Sequence, residues 1–442
     1  MESILKKFAI RGLYGERDVE ILFSDNIKIV VAENGYGKTT VLNALYALLS
    51  GNISNLRKLD FEVVEITFSD GAIFAINKSW FKLSSDQLTK HGIYQHLVGT
   101  LGDVVALELF EAALTSSKKQ LLESNVLKAA GARSAIPLEH LVNMIVGTLS
   151  SVDGAITVGD IQGPLKAIRE KFPYNIIYLP TYRRVEQDFK ELHINGDIES
   201  FGEHSINFGM RDVDLRFQEI TKEITSSSVE WFSKVNGQML GQLIAGFNVS
   251  EDAKIRMNSP EAIKIVLNRI GNNIDNENKK EIIRLVESGE IFNGHDPLLY
   301  FISNLEKVYI QQKSNDDAIQ DFSEVCNRYL VDKKIAYNES NVTIDIVRRK
   351  NGNPVDIEHL SSGEKQIISL FSRLYLKKEQ NVAIFFDEPE LSLSIEWQKT
   401  LLPDIINSGK CIFMFTTTHS PFIFDNFLAK NVADLGLYIK EL

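Results

Sequence analysis

The sequence predicts an α/β protein, with strand-and-helix patterns at both ends of the chain and helical material between them. Three observations predict this class. A loop bearing glycines and a lysine joins an apolar strand to an amphipathic helix in IKIVVAENGYGKTTVLNALYALLSG, residues 27 to 51. Strands and helices alternate again from 336 to 442, the pattern of parallel strands joined by crossover helices. The intervening runs, such as LGDVVALELFEAALTSSKKQLLESNVLKAA and DLRFQEITKEITSSSVEWFSKV, carry helical periodicity.

Residues 1–80 read as a lobe of mixed sheet around one helix. VEILF and IKIVVA are β-branched runs, and Val41, Leu42, Leu45, Leu48 and Leu49 fall at helical spacing before Gly51 supplies a stop. VVEITFSDGAIFAINK reads as a hairpin, because Asp70-Gly71 suits the positive φ of a tight turn. Residues 81–173 form a helical insertion, and 174–211 hold a return strand, NIIYL, with a basic loop. A second helical segment, an arm or docking surface, covers 212–335. Residues 336–442 return to strands: VTIDIVRRKNGNPVDIEHL reads as a hairpin with Asn351-Gly352 at its tip. A helix then carries Ile367, Ile368, Phe371, Leu374 and Tyr375 on one face, and the strands NVAIFFDE and CIFMFTTTHS follow. No internal repeat and no sustained heptad occurs.

Bulk properties exclude several classes. The 442 residues are 44% hydrophobic and 24% charged, the composition of a folded globular protein. A net charge of −11 argues against a broad nucleic-acid face, since affinity for phosphate backbones comes from clustered Lys and Arg. Cys326 and Cys411 are far apart, without partners at metal spacing, so neither a disulfide framework nor a zinc site is expected, and a reducing cytoplasm fits. MESILKKFAIRG lacks the apolar stretch of a signal peptide, and runs such as VAIFF are too short to span a bilayer. No membrane attachment is expected.

AENGYGKT matches the phosphate-binding P-loop except at the first glycine, which is Ala32 here. Gly35 and Gly37 let the backbone wrap a phosphate, Lys38 reaches the outer phosphates and Thr39 is placed for Mg²⁺. Asn34, Tyr36 and Thr40 complete the loop, and the following helix N-terminus adds its dipole. Such a loop needs a carboxylate on a neighbouring strand, and Asp387 ends the apolar strand AIFFDE. Glu388 beside it is a candidate general base for a water attacking a γ-phosphate. LSSGEKQ places Ser361, Ser362, Gly363 and Glu364 at a helix start, which read alone is a capping box.

The order AENGYGKTT, LSSGEKQ, FFDEPE, TTTHSP resembles the nucleotide-binding domain of the ABC ATPase superfamily, and more narrowly its SMC/RecF/OLD branch, over residues 1–80 and 336–442. The resemblance implies a P-loop ATPase head assembled from N- and C-terminal lobes, with ATP and Mg²⁺ as ligands. Ser361, Ser362 and Gly363, with Glu364, would form the signature that contacts ATP held by a second copy, so a homo-oligomer is implied. His419 would be the switch histidine, and Gln187 is the candidate metal-contacting glutamine. Ser394 stands where this branch often has His. Arg183 and Arg184 in YLPTYRR could reach phosphate, DNA or a neighbouring subunit, whereas Arg348, Arg349 and Lys350 look like an exposed hairpin tip.

OLD nucleases append a Toprim module, but about two dozen residues follow His419, against a domain minimum of roughly 50. Any cutting component is therefore expected on another polypeptide. The resemblance extends to the ATPase components of two-gene antiphage systems, such as the PARIS ATPase that holds a separate Toprim nuclease and responds to a phage-encoded trigger protein. The Septu ATPase, partnered by an HNH nuclease, is the near competitor. A RecF-like DNA-repair or DNA-end-binding ATPase and a purely structural ATP-gated clamp are the alternatives.

Overall fold

The computed structural model describes residues 3–33, 35–81, 88–115, 121–122, 124–134, 136–152, 161–181, 210–246, 260–269, 274–377 and 380–442. Its elements run β1 (Leu5–Leu13), β2 (Arg17–Leu22), β3 (Ile27–Val31), α1 (Lys38–Ser50), α2 (Ile53–Lys58), β4 (Val63–Phe68) and β5 (Ile73–Asn77). Helices α3 (Gly92–Leu101), α4 (Asp103–Thr115), α5 (Asn125–Ser134), α6 (Leu138–Val152) and α7 (Gln162–Lys171) precede β6 (Asn175–Leu179). Then come α8 (Met210–Ala245), α9 (Pro260–Arg269), α10 (Asn276–Ser288) and α11 (Asp296–Tyr329). The last part holds β7 (Lys333–Asn338), β8 (Thr343–Arg348), α12 (Ser362–Tyr375), β9 (Val382–Asp387), α13 (Ile395–Asn407), β10 (Cys411–Thr418), β11 (Val432–Asp434) and β12 (Ile439–Glu441).

The two ends of the chain are woven into the same sheets. An antiparallel sheet runs β12-β2-β1-β4-β5, and a parallel sheet runs β11-β3-β10-β9-β6. In the parallel sheet, N-terminal β3 lies between C-terminal β10 and β11, and β9 lies between β10 and β6. Every residue of β9 is buried, as expected of a parallel strand covered on both faces. Its side chains alternate between two cores. Ala383 and Phe385 join α1 and the antiparallel sheet, while Val382, Ile384 and Phe386 join α12 and α13 on the other face. The two ends of the chain therefore form one α/β body, the head.

Helices α3 to α6 close their own core around Tyr94, Phe110 and Leu141. A separate core joins α9, α10 and the first half of α11. Helices α8 and α11, of 36 and 34 residues, meet at Ile220, Ile224 and Ile319, and Gln312 fastens them by donating to the Ile224 carbonyl and to the Ser227 and Ser228 hydroxyls. Among the described residues no helix is long and apolar enough to cross a membrane.

The expected hairpin is present but short. The strand TIDIVR makes its main ladder antiparallel with β7, upstream, and the turn at Asn351-Gly352 returns the chain only briefly on its other side. On that downstream side Val347 faces Pro354 in one bridge, flanked by the Val355 N–H donating to the Ile346 carbonyl at 2.8 Å and the Arg348 N–H donating to the Asn353 carbonyl at 2.9 Å. β7 begins at Lys333, inside the segment expected to be helical. Arg349 is also less free than a hairpin tip suggests: it donates to the carbonyls of Asn327 and Leu330 at the end of α11.

Candidate nucleotide site

The site forms at the carboxyl ends of β3, β6, β9 and β10. Gly35 and Gly37 hold φ of 91° and 82°, left-handed values that a side chain would strain, and α1 begins directly at Lys38. Ala32, in place of the first P-loop glycine, is buried at the end of β3, and it is not among the residues of positive φ. Tyr36 is exposed, Thr40 lies 3.4 Å from the Tyr14 hydroxyl, and Asn34 falls outside the described residues.

Lys38 is 6% exposed. Its ammonium donates to the Ala32 carbonyl at 2.8 Å and stands 2.6 Å from His419 Nε2. Burial lowers the Lys38 pKa, partly offset by Glu388, Asp387 and Glu390. The same burial, with the charges of Asp387 and Glu390, raises the pKa of Glu388. Glu388 adopts φ of 50°, which turns the chain sharply after β9. Its Oε1 then lies 3.4 Å from His419 Nε2.

Asp387 is completely buried, and its carboxylate is met by hydroxyls. Thr39 Oγ1 lies at 2.9 Å, Thr181 Oγ1 at 2.8 Å and Thr417 Oγ1 at 2.7 Å. Thr181 lies two residues past the end of β6 and Thr417 belongs to β10. A carboxylate held this deep is costly unless its lone pairs are satisfied. The donor set is all hard oxygen, suited to Mg²⁺, which uses one or two carboxylates together with phosphate and water. Among the described residues no cluster of three or more His, Cys, Asp or Glu side chains could hold a metal by itself.

A model of the AAA ATPase domain family matches residues 4–424. The chain belongs to that family. No curated protein sequence matches this AAA ATPase domain. Among solved structures it is similar to the Smc head domain with an extended coiled coil, bound to the C-terminal domain of ScpA, from Pyrococcus furiosus. There the identity is 14%, with 99% of this chain and 96% of that chain covered at a TM-score of 0.35. It is also similar to the Smc head domain with a coiled coil and joint from Pyrococcus yayanosii, at 13% identity, 95% and 93% coverage and a TM-score of 0.30.

The serine-glycine stretch of this AAA ATPase domain starts α12. Ser361 and Ser362 are exposed, and among the described residues no hydrogen bond joins them to the loop of Lys38. Gly363 is buried instead: a Cβ there would meet the Ser392 carbonyl at 2.4 Å and the Trp397 ring at 3.2 Å. Glu364, expected among the nucleotide contacts, spends its carboxylate elsewhere. It accepts from the Ser361 N–H, completing a capping box with the Ser361 side chain, and from Lys333 at 3.0 Å. A helix-start carboxylate that also neutralises a half-buried lysine has a structural occupation. Ser394 caps α13 by accepting from the Trp397 N–H.

Gln187, Arg183 and Arg184 lie outside the described residues. From the β6 side, the group that reaches Asp387 is Thr181. Thr181, Thr417 and Glu390 were missed by sequence reasoning as parts of the site. The one available signal was position, since each lies at or just beyond the carboxyl end of a strand of the parallel sheet, where α/β ligand sites form.

Proposed function

We propose that this AAA ATPase-domain protein binds and hydrolyses ATP with Mg²⁺, at sites each completed by a second copy of the chain. The observation that carries the reading is the convergence of Lys38, Thr39, Asp387, Glu388 and His419 at one end of the parallel sheet. In this reading the loop N–H groups of residues 35–39 and the Lys38 ammonium bind the ATP phosphates, with Lys38 exchanging the Ala32 carbonyl and His419 for phosphate oxygens. Thr39 and Asp387, with Thr181 alongside, would hold the metal, which when bound would neutralise charge on the phosphates. Glu388 accepts a proton from the attacking water as its oxygen bonds to the γ-phosphorus and the bridging bond to ADP breaks. Burial and the neighbouring carboxylates raise its pKa, which makes it a stronger proton acceptor than an ordinary glutamate. Exposed Ser361 and Ser362 of the second copy close the site.

Glu388→Gln tests the reading. It should bind ATP as the parent does, turn over about 1,000-fold more slowly, and accumulate as an ATP-bound dimer by light scattering. Undiminished turnover would remove Glu388 as the base.

For the biological role we propose a sensor and scaffold in an antiphage system, holding and releasing a separate nuclease effector in response to a phage-encoded trigger. The support is the order of motifs that resembles such ATPases, and in this reading the long helices α8 and α11 serve as the docking surface. Purifying the Glu388→Gln protein from its host with ATP and Mg²⁺, followed by native mass spectrometry, tests it. A stoichiometric nuclease on a homo-oligomer is the expected result; a bare dimer, or one carrying only DNA, favours repair.

A further inference from the structure

Glu390 has no task in the chemistry just described, yet its side chain is among the most heavily bonded near the site. It follows β9 by three residues, beyond the left-handed turn at Glu388. Its Oε1 accepts from the backbone N–H of His419 at 2.6 Å and of Ser420 at 3.1 Å, and its Oε2 accepts from Thr418 Oγ1 at 2.8 Å. One carboxylate thus gathers the three residues that end β10 and turn the chain away.

A second tie lies beside it. Gln398 of α13 donates to the carbonyls of Leu393 and Glu390, and its Oε1 accepts from Ser420 Oγ at 2.6 Å. The turn after β9 and the loop after β10 are therefore locked together. The lock sits where Glu388, Lys38 and the His419 ring converge. Without it the His419 N–H would turn to water and the Ser420 N–H would keep only the Thr418 hydroxyl, at 3.0 Å, and nothing else among the described hydrogen bonds would fix His419 from its backbone.

We propose that Glu390 is a positioning residue that holds the 418–420 loop so that the His419 ring stands between Lys38 and Glu388. The functional part of this statement rests on the ATPase reading above. Glu390 acts through acceptor geometry: it aims two backbone N–H groups rather than touching nucleotide. This distinguishes it from Glu388, its neighbour by two residues. A glutamine at 390 can still accept both N–H groups at Oε1, and the Thr418 hydroxyl, donor and acceptor alike, can turn to accept from the new amide. Alanine can accept nothing.

The test compares Glu390→Ala and Glu390→Gln with the parent, using hydrogen exchange of the 418–420 amides, ATP affinity and steady-state kinetics. In Glu390→Ala the amides of His419 and Ser420 should exchange faster and kcat should fall about 100-fold, the scale set by a misplaced group. ATP affinity and Tm should stay near parental values. Glu390→Gln should recover protection and bring kcat to within roughly tenfold of the parent.

Unchanged exchange or unchanged kcat in Glu390→Ala overturns the proposal. So does a kcat loss that travels with lost ATP binding or a collapsed Tm, which would make Glu390 a general structural residue. A Glu390→Gln protein with full protection but alanine-like kcat also overturns it, in favour of charge. His419→Ala separates the two layers: parental kcat in that variant removes the histidine reading, while the exchange result still reports on the Glu390 tie.

Discussion

The parallel sheet of the head and the helical arm bury polar groups in opposite ways. In β9 a wholly buried apolar strand delivers one carboxylate, Asp387, to its end, where its partners are hydroxyls free to rotate. In the arm the buried polar groups form a fixed lattice. Arg269 and Asp316, each with a side chain 3% exposed, pair at 2.6 Å. Tyr337 of β7 donates to Asp316, and Arg269 reaches Gln312 and the Glu339 carbonyl. This lattice sews α9, α11 and β7 together. Burial in the head leaves polar groups able to change partners when a ligand arrives; burial in the arm uses them to fix an orientation.

Substitution should expose that difference. Asp387→Asn should have the largest effect on turnover, a loss of about 1,000-fold or slightly less, with little loss of stability, because the Thr39, Thr181 and Thr417 hydroxyls can turn to accept from the new amide. ATPase assays beside thermal melts check both halves. In the arm the prediction reverses. Asp316→Ala leaves the Arg269 guanidinium buried without its counter-charge and should cost about 3–5 kcal/mol of stability, read by urea unfolding. The double replacement Arg269→Met with Asp316→Leu should recover most of that loss, since apolar groups of similar volume often replace a buried pair without penalty. A head as unstable as the arm after Asp387→Asn would break the comparison.

The same contrast governs what could be read in advance. The strand-loop-helix around Lys38 was legible because its determinants are local: apolar spacing in α1, glycines at positive φ and a stop at Gly51. Asp387 was legible as the acid that ends an apolar run. Two of its three threonine partners were not, because Thr181 lies 206 positions away and Thr417 lies 30 away, and threonines at strand ends look like ordinary β-formers. Glu390 escaped for a related reason, as its acceptors serve a loop 29 and 30 positions on. At β8 the local turn signal, Asn351-Gly352, pointed to the short downstream return, whereas the longer ladder to β7 was missed because that strand begins inside the segment read as helical. Arg269 and Asp316 carried no signal at all, since periodicity marks buried positions only when they are apolar.

Gly363 links the two modes, because it is buried like the arm's fixed groups yet lies next to exposed Ser361 and Ser362. Gly363→Ala would drive a Cβ into the Ser392 carbonyl, on the same turn that carries Glu388 and Glu390. Overpacking of this kind costs about 1–3 kcal/mol, and the displaced turn should lower kcat more than ATP affinity. Melts and kinetics on one preparation decide whether both fall; a lost Tm with intact kcat would mean that the turn absorbs the strain without moving Glu388.

The smallest expected effect concerns charge in the head. Desolvation first, then Asp387 and Glu390, raises the pKa of Glu388 above its ordinary carboxylate value. The folded state therefore holds that proton more tightly than the unfolded state, so ionising Glu388 costs stability. The cost is absent below the unfolded pKa of about 4.3, grows as the pH rises through the folded value and is complete above it. Glu388→Gln removes the charge while keeping the shape. Its Tm should exceed the parent's by a few degrees at neutral pH, with the gap narrowing toward zero as the pH approaches 4. Paired melts across that range check the sign. A gap independent of pH would mean that the glutamine acts through new hydrogen bonds, and a gap of opposite sign would mean that Lys38 and His419 hold the ionised carboxylate more firmly than burial opposes it. In that case the head would share the arm's reliance on fixed ion pairs, and the contrast between the two regions would fail at its centre.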